Sequence, residues 1–231
     1  MKLTILIGCF NEKNTILRAI EEAKAIDIDK EIIIIDNCSS DGTREILSSL
    51  MVDKDLRIIF HSRNMGASYS GFEGVRLAKG DYFYGPGADL EYKMADVYNM
   101  MEALENKGLD AVFGSRLLDR GDVSKIRLIK ERPYWLGTII ATFLVNLLYR
   151  RRFTDVIATK LVRTSILKKL DRKYNGQAGE FELVSKLCKQ DCKIGEVPIY
   201  YKPRTHKEGK TIRVLDMLPA IWAILRVKFF G

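Results

Sequence analysis

A chain of 231 residues, 47% hydrophobic and 29% charged, is globular in composition and has the length for one large domain or two small ones, with a core that needs no staples. Its net charge of +8 points to an anionic partner: a nucleotide, a nucleic acid or a membrane surface. No stretch reaches the ~18 to 20 uncharged apolar residues of a bilayer span, and Met1-Lys2 runs into an apolar segment too short for a signal peptide.

Residues 3–7 are β-branched and apolar, the mark of a buried strand, and close on Gly8-Cys9-Phe10. Asn11-Glu12 opens a helix with Ile16, Ala19, Ile20 and Ala23 at helical spacing. Residues 31–36 hold four consecutive isoleucines, which predict a strand covered on both faces. It ends in Asp36-Asn37-Cys38-Ser39-Ser40-Asp41-Gly42-Thr43, where Ser40 or Asp41 can cap a helix over 43–50. A third strand covers 56–60, and Asn64-Met65-Gly66-Ala67 leads into a helix through Gly71, Gly74 and Ala78.

The fourth strand, 80–84, breaks at Gly85-Pro86-Gly87, and beyond it Asp89 and Glu91 flank Leu90. A helix over 94–106 and a strand over 109–113 follow, the latter ended by Gly114-Ser115-Arg116. This alternation predicts an α/β fold, a doubly wound and mostly parallel sheet. Ligands bind such sheets at the carboxyl ends of the strands, the edge to which Glu12, Asp36, Asp89, Glu91 and Arg116 are assigned. Two hard oxygen donors at 89 and 91 suit a divalent cation, Mg²⁺ or Mn²⁺, which commonly joins carboxylates to substrate phosphates. The chain has neither Gly-x-Gly-x-x-Gly after the first strand nor a Gly-Lys-Ser/Thr loop, which argues against ordinary dinucleotide and phosphate-loop folds.

Phe10-Asn11-Glu12, Asp36 through Asp41-Gly42-Thr43, Gly80-Asp81-Tyr82, Ala88-Asp89-Leu90-Glu91-Tyr92 and Gly114-Ser115-Arg116 occur in that order. Together they resemble the family-2 inverting glycosyltransferases of GT-A fold, in particular those similar to dolichyl-phosphate mannosyltransferase, over nearly the whole chain. The resemblance implies nucleotide-sugar binding, UDP- or GDP-linked, by Phe10, Asn11, Glu12, Asp36, Asn37, Asp41, Asn64, Gly66, Ala88 and Asp89. It implies a metal on the diphosphate at Asp89 and Glu91, and an acceptor phosphate at Arg116. Three positions depart from the family pattern: Gly8 replaces a proline, Asn37 an aspartate, and Gly87 the first carboxylate of the Asp-x-Asp motif. The last change raises an alternative of another class, a non-catalytic nucleotide-sugar-binding or scaffold protein.

In the carboxy-terminal half, Lys125, Arg127, Lys130 and Arg132 precede an amphipathic helix over 133–149, whose residues 134–149 carry no charge, and Arg150-Arg151-Arg152 follows. This segment reads as a helix in the membrane interface, with Trp135 and Tyr149 at headgroup level, or else as a buried core helix. The arginines lack interleaved stacking aromatics, so no nucleic acid is expected. Thr154-Asp155 with Thr159-Lys160 resembles a further family segment, and a helix over 179–187 carries Glu180 and Glu182, where the family has a carboxylate near sugar and acceptor. A strand over 193–201 contains Glu196-Val197-Pro198-Ile199. The Arg204 and Lys210 of the following loop resemble the family's acceptor loop, so Arg127, Arg204 and Lys210 join Arg116 as acceptor-phosphate residues.

Residues 212–230 place Leu218, Ile221, Trp222, Leu225 and Phe229 on one face of a second interfacial helix. The expected organisation is a GT-A domain over 1–210, with a nucleotide-sugar half (1–116) and an acceptor half (117–210), and an amphipathic helix over 211–231. Asp89, Arg116, Arg204 and Lys210 are the expected catalytic groups. The implied reaction moves a sugar, with inversion, to a polyprenyl (dolichyl or undecaprenyl) phosphate at the cytoplasmic face of a membrane; a saccharide or lipid-linked glycan hydroxyl is the alternative acceptor. Cys9, Cys38, Cys188 and Cys192 lack zinc-site spacing and read as free thiols in a reducing cytoplasm.

Overall fold

The structure is a computed structural model that describes residues 2–118, 135–204 and 217–230. It divides into two units, Met1–Tyr98 with Thr159–Asp171, and Asn99–Ala158 with Arg172–Gly231. In chain order the strands are β1 (Leu3–Cys9), β2 (Lys30–Asp36), β3 (Leu56–Phe60), β4 (Tyr82–Tyr84), β5 (Ala111–Ser115), β6 (Lys160–Arg163) and β7 (Ile194–Pro198). The helices are α1 (Ile16–Lys24), α2 (Thr43–Ser49), α3 (Ala67–Leu77), α4 (Asp96–Asn106), α5 (Trp135–Tyr149), α6 (Thr164–Leu167), α7 (Gly176–Lys189) and α8 (Met217–Phe230).

The first unit orders its strands β3-β2-β1-β4-β6. Ile32 to Ile35 are at most 3% exposed, as a strand covered on both faces requires. The parallel register from Leu3↔Lys30 to Cys9↔Asp36 sets the ends of β1 and β2 side by side, and β2 runs beside β3 as far as Asp36↔Phe60. Helix α3 packs on β1 and β2, and a Cβ at its Gly74 would come within 2.8 Å of the Leu6 methyls, so a larger residue there would make Leu6 shift. The unexpected element is β6, antiparallel to β4 through Tyr84↔Leu161.

In the second unit β5 pairs in parallel with β7, from Ala111↔Ile194 to Ser115↔Pro198. Helix α7 packs along α8, and α5 lies on both. Helix α8 buries Ala220, Ala223, Ile224 and Val227 and leaves Leu218, Trp222 and Phe229 in solvent; α5 buries Ala141 and Val145 and exposes Leu136, Ile140, Phe143 and Leu147. Each helix is thus apolar on its inner and outer faces alike. Trp135 is 1% exposed, which corrects its assignment to a membrane interface: its ring packs beneath a guanidinium and against Tyr201. Arg151 likewise turns inward and donates to the carbonyls of Cys188 and Cys192 at 3.5 and 3.2 Å. Among the described residues no helix is long and apolar enough to cross a membrane.

Candidate functional site

In the first unit the loops leaving β1 and β2 are stitched together. Asn11 takes a left-handed backbone with φ of 57°, a conformation asparagine tolerates. Its N–H donates to Ser39 Oγ at 2.8 Å, and its Oδ1 accepts from the Ser40 N–H at 2.8 Å. Glu12 N–H donates to Thr43 Oγ1 at 2.9 Å and Lys13 N–H to Asp41 Oδ2 at 3.0 Å. Asp41 Oδ1 also accepts the Thr43 N–H at 3.0 Å at the start of α2. Burial would raise the Asp41 pKa, but the Thr43 hydroxyl and these main-chain donors outweigh it and hold the carboxyl below its ordinary value.

Asp36 is fully buried. It accepts the Ser39 N–H on both oxygens at 3.2 Å and pairs with Arg44 at 3.3 Å, so its charge is compensated internally. Burial, with Asp36, Glu12 and Asp41 nearby, pushes the Cys9 thiol far up, which keeps it protonated. Phe10 stands 45% exposed at the mouth of these loops. All four cysteines are free.

The loop after β3 joins this array through Asn37. Asn37 Oδ1 accepts the Met65 N–H at 2.8 Å, and Nδ2 donates to Asn64 Oδ1 at 2.8 Å. Asn64 Oδ1 also accepts the Gly66 N–H at 2.9 Å. His61 and Glu73, which carried no sequence signal, complete the network.

The turn after β4 holds Gly87 with φ of +82° and Leu90 with φ of 55°. Ala88 is buried, Asp89 part-exposed and Glu91 8% exposed. Asp89 Oδ1 accepts the Glu91 N–H at 3.2 Å. A Cβ at Gly87 would lie 3.7 Å from Asp89 Oδ1, an ordinary contact, while the positive φ strains any side chain at this position. Among the described residues no group of three or more His, Cys, Asp or Glu side chains could hold a metal. Two carboxylates still fit Mg²⁺ or Mn²⁺, which is often held by one or two carboxylates, waters and substrate phosphates.

In the second unit Arg116 is forked onto Asp155, with Nε to Oδ2 at 2.6 Å and Nη2 to Oδ1 at 3.0 Å. Its guanidinium carbon lies 4.4 Å from the Trp135 ring centroid and 5.0 Å from that of Tyr201. Burial would raise the Asp155 pKa, but the Arg116 charge and hydrogen bonds outweigh it and hold the carboxyl below its ordinary value. Glu196 accepts from the N–H groups of Thr154 and Asp155 at 2.9 and 3.0 Å, and burial raises its own pKa. Sequence reasoning singled out Asp155 and Glu196 only as motif members, because their partners are 39 and 41 residues distant.

Glu182, by number a solvated helix glutamate, is 1% exposed. It accepts from the Lys173 and Tyr174 N–H groups at 2.9 and 3.1 Å and pairs with Lys186 at 2.9 Å. Arg204 is part-buried, whereas Arg127 and Lys210 lie outside the described residues.

Residues 4–171 match the model of Glycosyl transferase family 2. An uncharacterised protein of Methanocaldococcus jannaschii is 26% identical over 225 residues, 92% of this chain and 94% of its own length. The dolichol-phosphate mannosyltransferase of Pyrococcus furiosus is 29% identical over 146 residues, which cover 60% of this chain and 41% of that protein. The match therefore spans less than half the length of that relative. Glucosyl-3-phosphoglycerate synthase of Mycobacterium tuberculosis, solved with Mn²⁺, UDP and glucosyl-3-phosphoglycerate, superposes with a TM-score of 0.66 at 17% identity, over 100% of this chain and 81% of its own.

Proposed function

The chain belongs to glycosyl transferase family 2, and from that premise we propose that this GT-A glycosyltransferase moves a sugar from a nucleotide-diphosphate donor to a polyprenyl phosphate, with inversion. The interlocked strand-end loops of the first unit carry the donor half of this reading. They present Asn11, Glu12, Asp41, Asn64 and Gly66 from a cross-braced frame, and Phe10 offers an exposed ring face to a base. The mycobacterial neighbour was solved with UDP and Mn²⁺, which supports a nucleotide-sugar donor here. Asp89 with Glu91 would hold a divalent cation, which supplies charge neutralisation for the departing diphosphate.

For the acceptor, the Pyrococcus relative is a dolichol-phosphate mannosyltransferase. A lipid phosphate is already anionic, so it needs alignment by cations and no strong base. Arg116 supplies a guanidinium fixed in place by Asp155, and Arg204 with Lys210 supplies a planar fork and a mobile charge. A hydroxyl acceptor is the second reading, favoured by the glucosyl-3-phosphoglycerate synthase neighbour. It needs a carboxylate base from Glu180 or Glu182; Glu182 is spent on the main chain of residues 173 and 174, so Glu180, of intermediate exposure, is the candidate.

The exposed stripes of α5 and α8 support docking on an anionic membrane surface. Leu136, Ile140, Phe143 and Leu147 stand outward on α5, Leu218, Trp222 and Phe229 on α8, and Arg150, Arg152 and Lys228 flank them. The test is a screen of labelled UDP- and GDP-sugars with Mn²⁺ and a short polyprenyl phosphate. Label entering the organic phase is expected; its absence for every donor rejects the reading.

A further inference from the structure

We propose that His61 is a doubly protonated imidazolium that clamps the β3–α3 loop onto the β2–α2 loop, making it a positioning residue for the nucleotide site; the positioning role rests on the donor reading above. The Met65 N–H donates to Asn37 Oδ1 at 2.8 Å and the Gly66 N–H to Asn64 Oδ1 at 2.9 Å. A main-chain N–H can only donate, so these contacts fix both amide oxygens and neither amide can be turned round. His61 Nδ1 faces the fixed Asn37 Oδ1 at 3.0 Å and must itself carry a hydrogen.

His61 Nε2 lies 2.5 Å from Glu73 Oε2. With Nδ1 already protonated, a neutral ring would aim the Nε2 lone pair at a carboxylate oxygen, in a side chain only 8% exposed. A second proton turns that repulsion into a charge-assisted hydrogen bond. The other charged or titratable groups around His61 fit this assignment. From α3, Tyr69 meets the ring edge-on at 5.6 Å. From α2, Arg44 donates to the His61 carbonyl at 2.8 Å, while its charge is matched by Asp36 at 3.3 Å. Glu73 is therefore the anion that answers the imidazolium.

The same network accounts for an asparagine at position 37. Only an amide can accept from Met65 and His61 on one atom and donate to Asn64 Oδ1 on the other. An aspartate would set two oxygens against each other across that last contact.

The chain has two histidines, His61 and His206, so a ¹⁵N spectrum of the side-chain imidazoles contains two rings, and His206→Gln assigns them. Both nitrogens of His61 are expected to bear protons at pH 7. Glu73→Gln should remove one, and Glu73→Asp should retain both. Calorimetry with UDP and with GDP should then show affinity about three- to tenfold lower for Glu73→Gln and, as an independent variant, for Asn37→Asp. The inference is overturned by a singly protonated His61 in the unmodified protein, or by Glu73→Gln binding both nucleotides undiminished. If the unmodified protein binds neither nucleotide, the donor reading fails and the positioning role with it, while the spectrum still decides the imidazolium.

Discussion

Asp155→Asn keeps the shape of the buried partner of Arg116 and removes its charge. Asp155 Oδ2 accepts the Arg116 N–H and Nε–H at 3.2 and 2.6 Å, and Oδ1 accepts Arg116 Nη2–H and the Ile157 N–H at 3.0 and 3.1 Å. Whichever way an amide is turned, its NH₂ meets two donors. Breaking one side of a buried ion pair costs about 3–5 kcal/mol. With a urea slope of about 2 kcal/mol per molar, the midpoint should fall by about 1.5–2.5 M.

Fluorescence reports this directly, because the chain's two tryptophans, Trp135 and Trp222, both lie in the second unit. The pH dependence carries a sign. The folded-state pKa of Asp155 is lowered, so its stabilisation is fully present above the unfolded value of 3.8 and is lost as pH falls through the lower folded value. The gap between Asp155→Asn and the unmodified protein should therefore narrow on acidification below about pH 4. An unchanged midpoint at pH 7, or a gap that widens in acid, would refute the assignment of Asp155 as the charge that fixes Arg116.

Gly87→Asp places a carboxylate beside Asp89, where the Cβ has ordinary contact space at 3.7 Å. The left-handed backbone costs an aspartate about 1 kcal/mol, and Mn²⁺-dependent UDP binding should tighten by roughly tenfold, about 1.4 kcal/mol; calorimetry showing no metal-dependent gain would count against the turn as a metal site. Arg204→Ala with Lys210→Ala should lower transfer to a polyprenyl phosphate by at least about a hundredfold, the loss of two charge-assisted contacts at about 1.5 kcal/mol or more each. Transfer to a polyprenol hydroxyl should change little, and equal losses on both acceptors would contradict the phosphate role. Phe143→Asp with Leu147→Asp puts two charges on the outer stripe of α5, where these residues are 65% and 63% exposed. Since burying such side chains is worth about 1.5–3 kcal/mol each, cosedimentation with phosphatidylserine vesicles should fall at least tenfold; unchanged binding, or a dimer in ultracentrifugation that this variant abolishes, would reassign the face.

The sheet was legible where burial wrote itself into composition. The isoleucines of β2 and the apolar run of β1 can satisfy no other environment, and the period of α1 matches its buried Ile16, Ala19, Ile20 and Ala23. By contrast β6 is the four residues Lys-Leu-Val-Arg. Its pairing with β4 reaches across about eighty residues of chain, which no local pattern records. Strand β5 sits two residues later than expected, at Ala111–Ser115, because its polar end at Gly114 and Ser115 continues to pair with β7.

The site divides the same way. Polar clusters at strand ends marked the loops, since chain order alone brings them to one edge of a parallel sheet. The side-chain couplings of Arg116 with Asp155, Glu196 with Thr154, and His61 with Glu73 depend on three-dimensional packing. Periodicity put Glu182 on a helix and was silent on the main-chain N–H groups it holds at residues 173 and 174, because a buried carboxylate and a solvated one have the same spacing.

The most direct test of the central claim is the phosphorus chemistry of the product. Purified protein is incubated with Mn²⁺, a polyprenyl phosphate and each nucleotide-sugar in turn, and ³¹P NMR follows the lipid monoester. Conversion to a sugar phosphodiester, with the anomeric configuration opposite to that of the donor, is the predicted result. A monoester resonance that persists while the sugar appears on a hydroxyl acceptor, or is never transferred, would contradict it.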